Sequence, residues 1–181
     1  MKIRLGLLVG ILLLASSTAL PEIEKVGRVC GNGICPAWWP KLEPVKGWHH
    51  EDDASFTNSA NVQVPDGFTF SNSETVIYAR ALYKPRNPEA TSLEVLIKND
   101  RGEFLKADAS IEIAKVPPLK TKDGKALETY TFFPKADGNW EEVSYGEEGD
   151  FYLIFTISSR SHAGFLAALP VYERYIAQYK E

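Results

Sequence analysis

The chain is poor in the residues that most often carry chemistry. Among its 181 residues are two cysteines and three histidines. The histidines are His49, His50 and His162, and they stand in no His-x-His or His-Glu-x-x-His frame of the kind that sets zinc ligands on one face. There is no Gly-x-Ser-x-Gly elbow for a nucleophilic serine. Ser158, Ser159 and Ser161 lie close to His162 in the chain, but near neighbours rarely meet in triad geometry. Gly31-Asn32-Gly33 lacks the preceding strand, following helix and lysine of a phosphate cradle. Basic surplus is missing as well: 20 Lys and Arg face 24 Asp and Glu. That balance argues against nucleic acid, which selects a basic surface, and no polybasic run points to an anionic membrane. No apolar run reaches the roughly 20 residues of a spanning helix.

What is present begins with a leader. Lys2 and Arg4 precede an apolar run over residues 5–15, and Ser17 and Ala19 supply small residues ahead of a cleavage point. This is the pattern of a secretory signal peptide, expected at residues 1–19, with Pro21 disfavouring cleavage after Leu20. The expected product is exported, periplasmic or secreted, with no transmembrane anchor left after cleavage. Its remaining length suits one domain of about 160 residues. Without Lys2 and Arg4 its net charge is about −6, ordinary for a soluble exported protein.

Residues 20–46 read as a Pro/Trp-rich arm. Pro21, Pro36, Pro40 and Pro44, with the Gly-Asn-Gly loop, predict irregular backbone. Cys30 and Cys35 lie in this arm, and an oxidising compartment favours their pairing as a structural disulfide. A loop so short restricts little unfolded-chain entropy, so its stabilisation is expected to be modest. Trp38 and Trp39, with Trp48 just beyond, must pack on the domain or on a partner.

The domain is expected over residues 47–181. Residues 75–83 alternate with apolar residues on both faces: Val76, Tyr78 and Leu82 on one, Thr75, Ile77, Ala79 and Ala81 on the other. Arg80 is the odd member, a charge on an otherwise apolar face. Residues 151–157 (Phe-Tyr-Leu-Ile-Phe-Thr-Ile) form a second doubly covered strand. Shorter strands are expected at 62–64, 110–114, 126–133 and 140–145, the last joined to 151–157 through a loop at 146–150. Thr91 and Glu94 fit a capping box ahead of a helix carrying Leu93, Leu96, Ile97 and Phe104. A closing helix, capped by Ser161, presents Phe165, Leu169, Tyr172, Ile176 and Tyr179 at helical spacing. Pro170 inside it predicts a kink or break. Doubly covered strands and amphipathic helices together predict an α+β fold, a three-layer α/β/α sandwich with a central antiparallel sheet.

Several features in this order, Gly47-Trp48, Val62-Gln-Val-Pro65, Val76-Ile-Tyr78, the Asp123-Gly124 turn, the 140–157 hairpin and Tyr175-Ile-Ala-Gln-Tyr-Lys180, carry a resemblance. From Gly47 to Lys180 the chain resembles the PsbP-like fold, shared by an extrinsic photosystem II protein and a Ran-binding nuclear-import factor. The resemblance implies an accessory or binding protein of the PsbP-like type, such as a small bacterial envelope member. It implies no shared catalytic residue, and the Trp-rich, cysteine-bearing arm departs from the family pattern.

His49, His50, Glu51 and Asp53 are the densest set of metal-ligand types, although adjacent residues on a strand point to opposite faces. The acid pairs Glu141-Glu142 and Glu147-Glu148 read as a solvated hairpin edge. The expected function is therefore an exported, non-catalytic binding or accessory protein of the cell envelope, needing no cofactor. Its partner would be an unidentified protein or small-molecule ligand, met through Trp38, Trp39 and Trp48 as a possible interaction surface. The alternative is a metal-dependent enzyme or metal-binding protein built on His49, His50 and nearby carboxylates.

Overall fold

The computed structural model describes residues 23–180, so the expected signal peptide lies outside the described residues. Two strands, β1 (Ile23–Cys30) and β2 (Gly33–Pro40), pair as a hairpin that forms a small sheet of its own. The rest of the chain supplies β3 (Trp48–His50), α1 (Asp52–Asn58), β4 (Asn61–Pro65) and β5 (Thr75–Tyr83). A short 3-10 turn at Lys84–Arg86 leads to α2 (Leu93–Ala107). Then follow β6 (Glu112–Lys120), β7 (Ala126–Phe133), β8 (Trp140–Glu148), β9 (Phe151–Ser159) and α3 (His162–Ile176).

The seven strands from β3 onward form one sheet in the order β3-β4-β5-β9-β8-β7-β6. Every pairing is antiparallel, and with three helices the chain is an α+β protein. The meander β6 to β9 brings its last strand against β5, so the two most apolar segments of the sequence lie side by side at the centre of the sheet. Leu153, Phe155 and Ile157 of β9 and Ile77, Ala79 and Ala81 of β5 face α3, and all are buried with Phe165, Tyr172, Tyr175 and Ile176. Each such large apolar side chain stabilises the fold by about 1.5–3 kcal/mol relative to exposure. The alternate residues face the other way: Tyr152 and Ile154 meet Leu93 and Leu96 of α2, while Tyr130, Phe132, Val143 and Tyr145 meet Ile97 and Phe104.

Buried tyrosines need partners for their hydroxyls. Tyr172 has the Phe155 carbonyl at 2.9 Å and Ser144 Oγ at 3.0 Å, and Tyr175 donates to the Asn61 carbonyl at 2.8 Å. Tyr179, just past the helix end, reaches the Glu148 carboxylate.

Several local expectations are corrected. The arm is not irregular: β1 and β2 pair in full register, closed by a two-residue turn at Gly31-Asn32. Gly31 takes φ 56° there, the sign that primed hairpin turns require at their first central residue. Pro36 and Pro40 are tolerated because a two-stranded ribbon has free edges that ask for no ladder N–H. The arm also feeds the main core, since Leu42 and Val45 are buried in it.

β6 continues through Pro117 and Pro118, beyond the strand expected at 110–114; it is the sheet's edge strand, and its register shifts between Val116 and Leu119. The 140–157 hairpin is tighter than expected, because both strands extend until only Gly149 and Asp150 turn, with Gly149 at φ 49°. The cap of α2 is Ser92, whose Oγ accepts from the Val95 N–H, one residue beyond the predicted Thr91. Ser161 caps α3 as expected. That helix continues unbroken through Pro170. The lost backbone bond falls on the solvent side, where Pro170 and Leu166 are exposed and water can take the freed carbonyl.

Candidate ligand-binding groove

Helix α2 leaves part of its face of the sheet open, and a groove of about 320 Å³ lies there. Strand register builds its floor. Tyr78 pairs with Val62 on one side and Thr156 on the other; Val76 pairs with Ser158, which pairs with Glu141. One step along the same face, Arg80 pairs with Ile154, which pairs with Tyr145. The open side is bounded by Asn58 at the end of α1 and by the 66–74 loop with Phe70, Ser73 and Glu74.

That loop is held by named bonds. The Phe70 N–H donates to Glu51 Oε1 (3.1 Å), the Ser73 N–H to the Thr69 carbonyl (2.8 Å), and Arg160 Nη2 to the Ser71 carbonyl (2.8 Å). These bonds anchor the loop that bounds the open side of the groove.

Arg80 is the charge in this setting. Its guanidinium lies 5.4 Å from the centre of the Tyr78 ring. Its Nε is buried with no hydrogen-bond partner, the one such side-chain atom among the described residues. A buried donor left without a partner costs about 1–3 kcal/mol, more when charged. Two carboxyls act on it electrostatically without bonding it. Asp100 of α2 accepts from the Tyr145 hydroxyl, and burial holds its pKa above the usual carboxylate value. Glu141 accepts from Ser158 Oγ, and burial raises it too, with the Ser158 and Asn139 bonds opposing the rise. Tyr78, beneath the guanidinium, is pushed up to about 12 by burial.

Glu141 and Glu142 are thus not a solvated edge. They belong to an inner strand and point to opposite faces, Glu141 into the groove and Glu142 under α3. Glu142 is 7% exposed, and burial with the nearby Glu173 charge raises its pKa to about 7. The alternation of residues 141–145 carries the signal: Glu141 shares a face with Val143 and Tyr145, both buried.

The remaining candidates fall elsewhere. His49 and His50 lie on β3 and point apart. His49 Nδ1 is 3.6 Å from Asp66 Oδ1, while His50 Nδ1 is 2.9 Å from Asp52 Oδ1 and its Nε2 2.9 Å from Ser55 Oγ. Glu51 is engaged by the 66–74 loop, and Asp53 is exposed in the first turn of α1. Among the described residues no group of three His, Cys, Asp or Glu converges as a metal site would require.

The tryptophans do not form a shared free surface. Trp38 and Trp39 leave opposite faces of β2. Trp39 is 3% exposed and meets Phe56 edge-on at 5.8 Å. Trp38 packs on Tyr83 and Phe151 at 5.3 and 6.0 Å, under the Arg86 guanidinium. Trp48 is half-buried against the main core. Self-packing wins because each ring removes a large apolar area from water. Cys30 and Cys35 form a disulfide across the hairpin tip, where Val29 and Ile34 are exposed.

No protein-family model matches this chain, and no curated protein matches it in sequence.

Proposed function

We propose that this chain is an exported, non-catalytic binding protein of the cell envelope that holds a small ligand in the groove beside α2. The observation that carries the proposal is Arg80: a half-buried side chain lining the groove, whose Nε has no hydrogen-bond partner within the protein. A charged side chain that lines a cavity with a donor left unpaired is commonly completed by what the cavity binds. The groove also joins polar groups to the apolar floor of Val62 and Val76, the composition of small-molecule sites.

Export is supported by the leader pattern of residues 1–19 and by the Cys30–Cys35 disulfide, which persists best outside reducing compartments. The helices α2 and α3, packed on opposite faces of the antiparallel sheet, support a three-layer α/β/α sandwich of the PsbP-like kind. An accessory role of the type that resemblance implies is the reading we favour.

The test is a fragment screen on the mature protein, read by amide chemical shifts. Fragments should move groove residues such as Val62, Tyr78 and Ser158, and should remain chemically unchanged. Hits confined to other surfaces, or conversion of the fragments, would reject the reading. The mass of the exported form should begin at Leu20 and lie about 2 Da below that of the reduced chain.

A further inference from the structure

Most polar groups of the groove are already committed. Ser158 Oγ donates to Glu141, Ser73 Oγ donates to the Thr75 carbonyl at 2.6 Å, and Asn58 Nδ2 donates to the Ala54 carbonyl at 2.8 Å. Arg160 is tied to Ser71, and Glu74 accepts from Ser161 Oγ. Arg80 is the exception: its Nε has no hydrogen-bond partner, its guanidinium lies over the face of Tyr78, and the Asp100 and Glu141 charges act on it without bonding it. A guanidinium asks for a planar anion that can take two parallel N–H bonds, which is what a carboxylate offers.

We infer that the groove takes a small organic monocarboxylate, its carboxylate paired with Arg80 and its apolar body lying on Val62, Val76 and Phe70. The inference rests on the groove being the binding site proposed above. Charge disfavours a dianion such as a phosphate monoester, which the Asp100 and Glu141 charges that act on Arg80 would repel more strongly than a monocarboxylate. A cationic ligand would meet the guanidinium itself. Size selects a small body, since about 320 Å³ is near the lower end of ligand pockets.

The experiment titrates benzoate, benzamide and phenyl phosphate into the mature, disulfide-intact, nitrogen-15-labelled protein at neutral pH. Benzoate should shift the amides of Val62, Tyr78 and Ser158 and the Nε–H resonance of Arg80, which is shielded from solvent. Benzamide should bind at least about tenfold more weakly, the size of one charge-assisted hydrogen bond. Arg80→Met should weaken benzoate by a similar factor. Because the Arg80 Nε–H shift is read on the native protein, the proposal stays testable should the variant fail to fold. Equal binding of benzamide and benzoate at the groove would overturn the carboxylate assignment while leaving the groove as the site. Tighter binding of phenyl phosphate would overturn the choice of a single charge. Groove resonances unmoved by all three probes, while another surface responds, would overturn this inference and the binding reading together.

Discussion

Glu142 makes the stability of this fold depend on pH in a direction that one substitution can isolate. Its carboxyl lies on the α3 face of β8, 7% exposed, in a strand whose neighbours there are Thr131 and Ile157. Burial and the Glu173 charge raise its pKa from 4.5 to about 7. The folded state therefore holds a proton that the unfolded chain has released. Stability is greatest below the unfolded value and falls as pH rises through the folded one, so the loss develops between about pH 4.5 and 7 and is complete above. At about 1.4 kcal/mol per pH unit the ceiling is about 3 kcal/mol, and about 2 kcal/mol once residual solvation of the carboxylate is allowed. Glu142→Gln keeps the shape and removes the titration. It should raise stability by about 2 kcal/mol at pH 8, or about 4–8 °C in Tm, and change little at pH 4.5. Paired urea melts of both proteins at the two pH values measure this, because Asp100 and Glu141 contribute equally to each and cancel in the difference. Glu173→Gln should recover part of the same gain. A Glu142→Gln difference that is independent of pH, or a variant less stable at pH 8, would refute the reasoning.

Three further predictions follow from the packing. Tyr172→Phe removes a fully buried hydroxyl that serves the Phe155 carbonyl and Ser144, and should cost about 1–2 kcal/mol in denaturant melts, with the fold unchanged by circular dichroism. Gly164→Ala would set a Cβ 2.6 Å from Ser159 Oγ and 2.9 Å from Glu74 Cδ. The crowding should outweigh the helix-propensity gain and lower stability by about 1–2 kcal/mol; an increase in Tm would show that α3 can slide away from the sheet. Reducing the Cys30–Cys35 bond should speed amide exchange at Val29 and Ile34 while costing at most about 2 kcal/mol globally, since the closed loop is short. A larger drop would mean that the hairpin helps to hold the main core.

The central pair of strands, the stripe of α3 and its Ser161 cap were legible because each is written in a local period. Alternation in residues 75–83 and 151–157 and helical spacing from Phe165 to Ile176 show which faces are covered without reference to what covers them. The cysteine pair was legible for the same reason, lying five residues apart in one loop. Three things came only from tertiary neighbours. β6 keeps Pro117 and Pro118 because it is the last strand of the sheet, an edge position that only the strand order sets. The arm becomes a hairpin because its tryptophans find Tyr83, Phe151 and Phe56 to pack on. In the groove, Arg80 stood out in the sequence as a charge on an apolar face, yet its surroundings, Ile154 across the strand pair and the Asp100 and Glu141 charges, come from distant parts of the chain. Glu141 reads as surface until register sets it across from Ser158 and burial removes its water. A sequence carries the period of each element directly. Desolvation and the pairing of charges depend on which elements become neighbours, and that is decided only when the sheet closes.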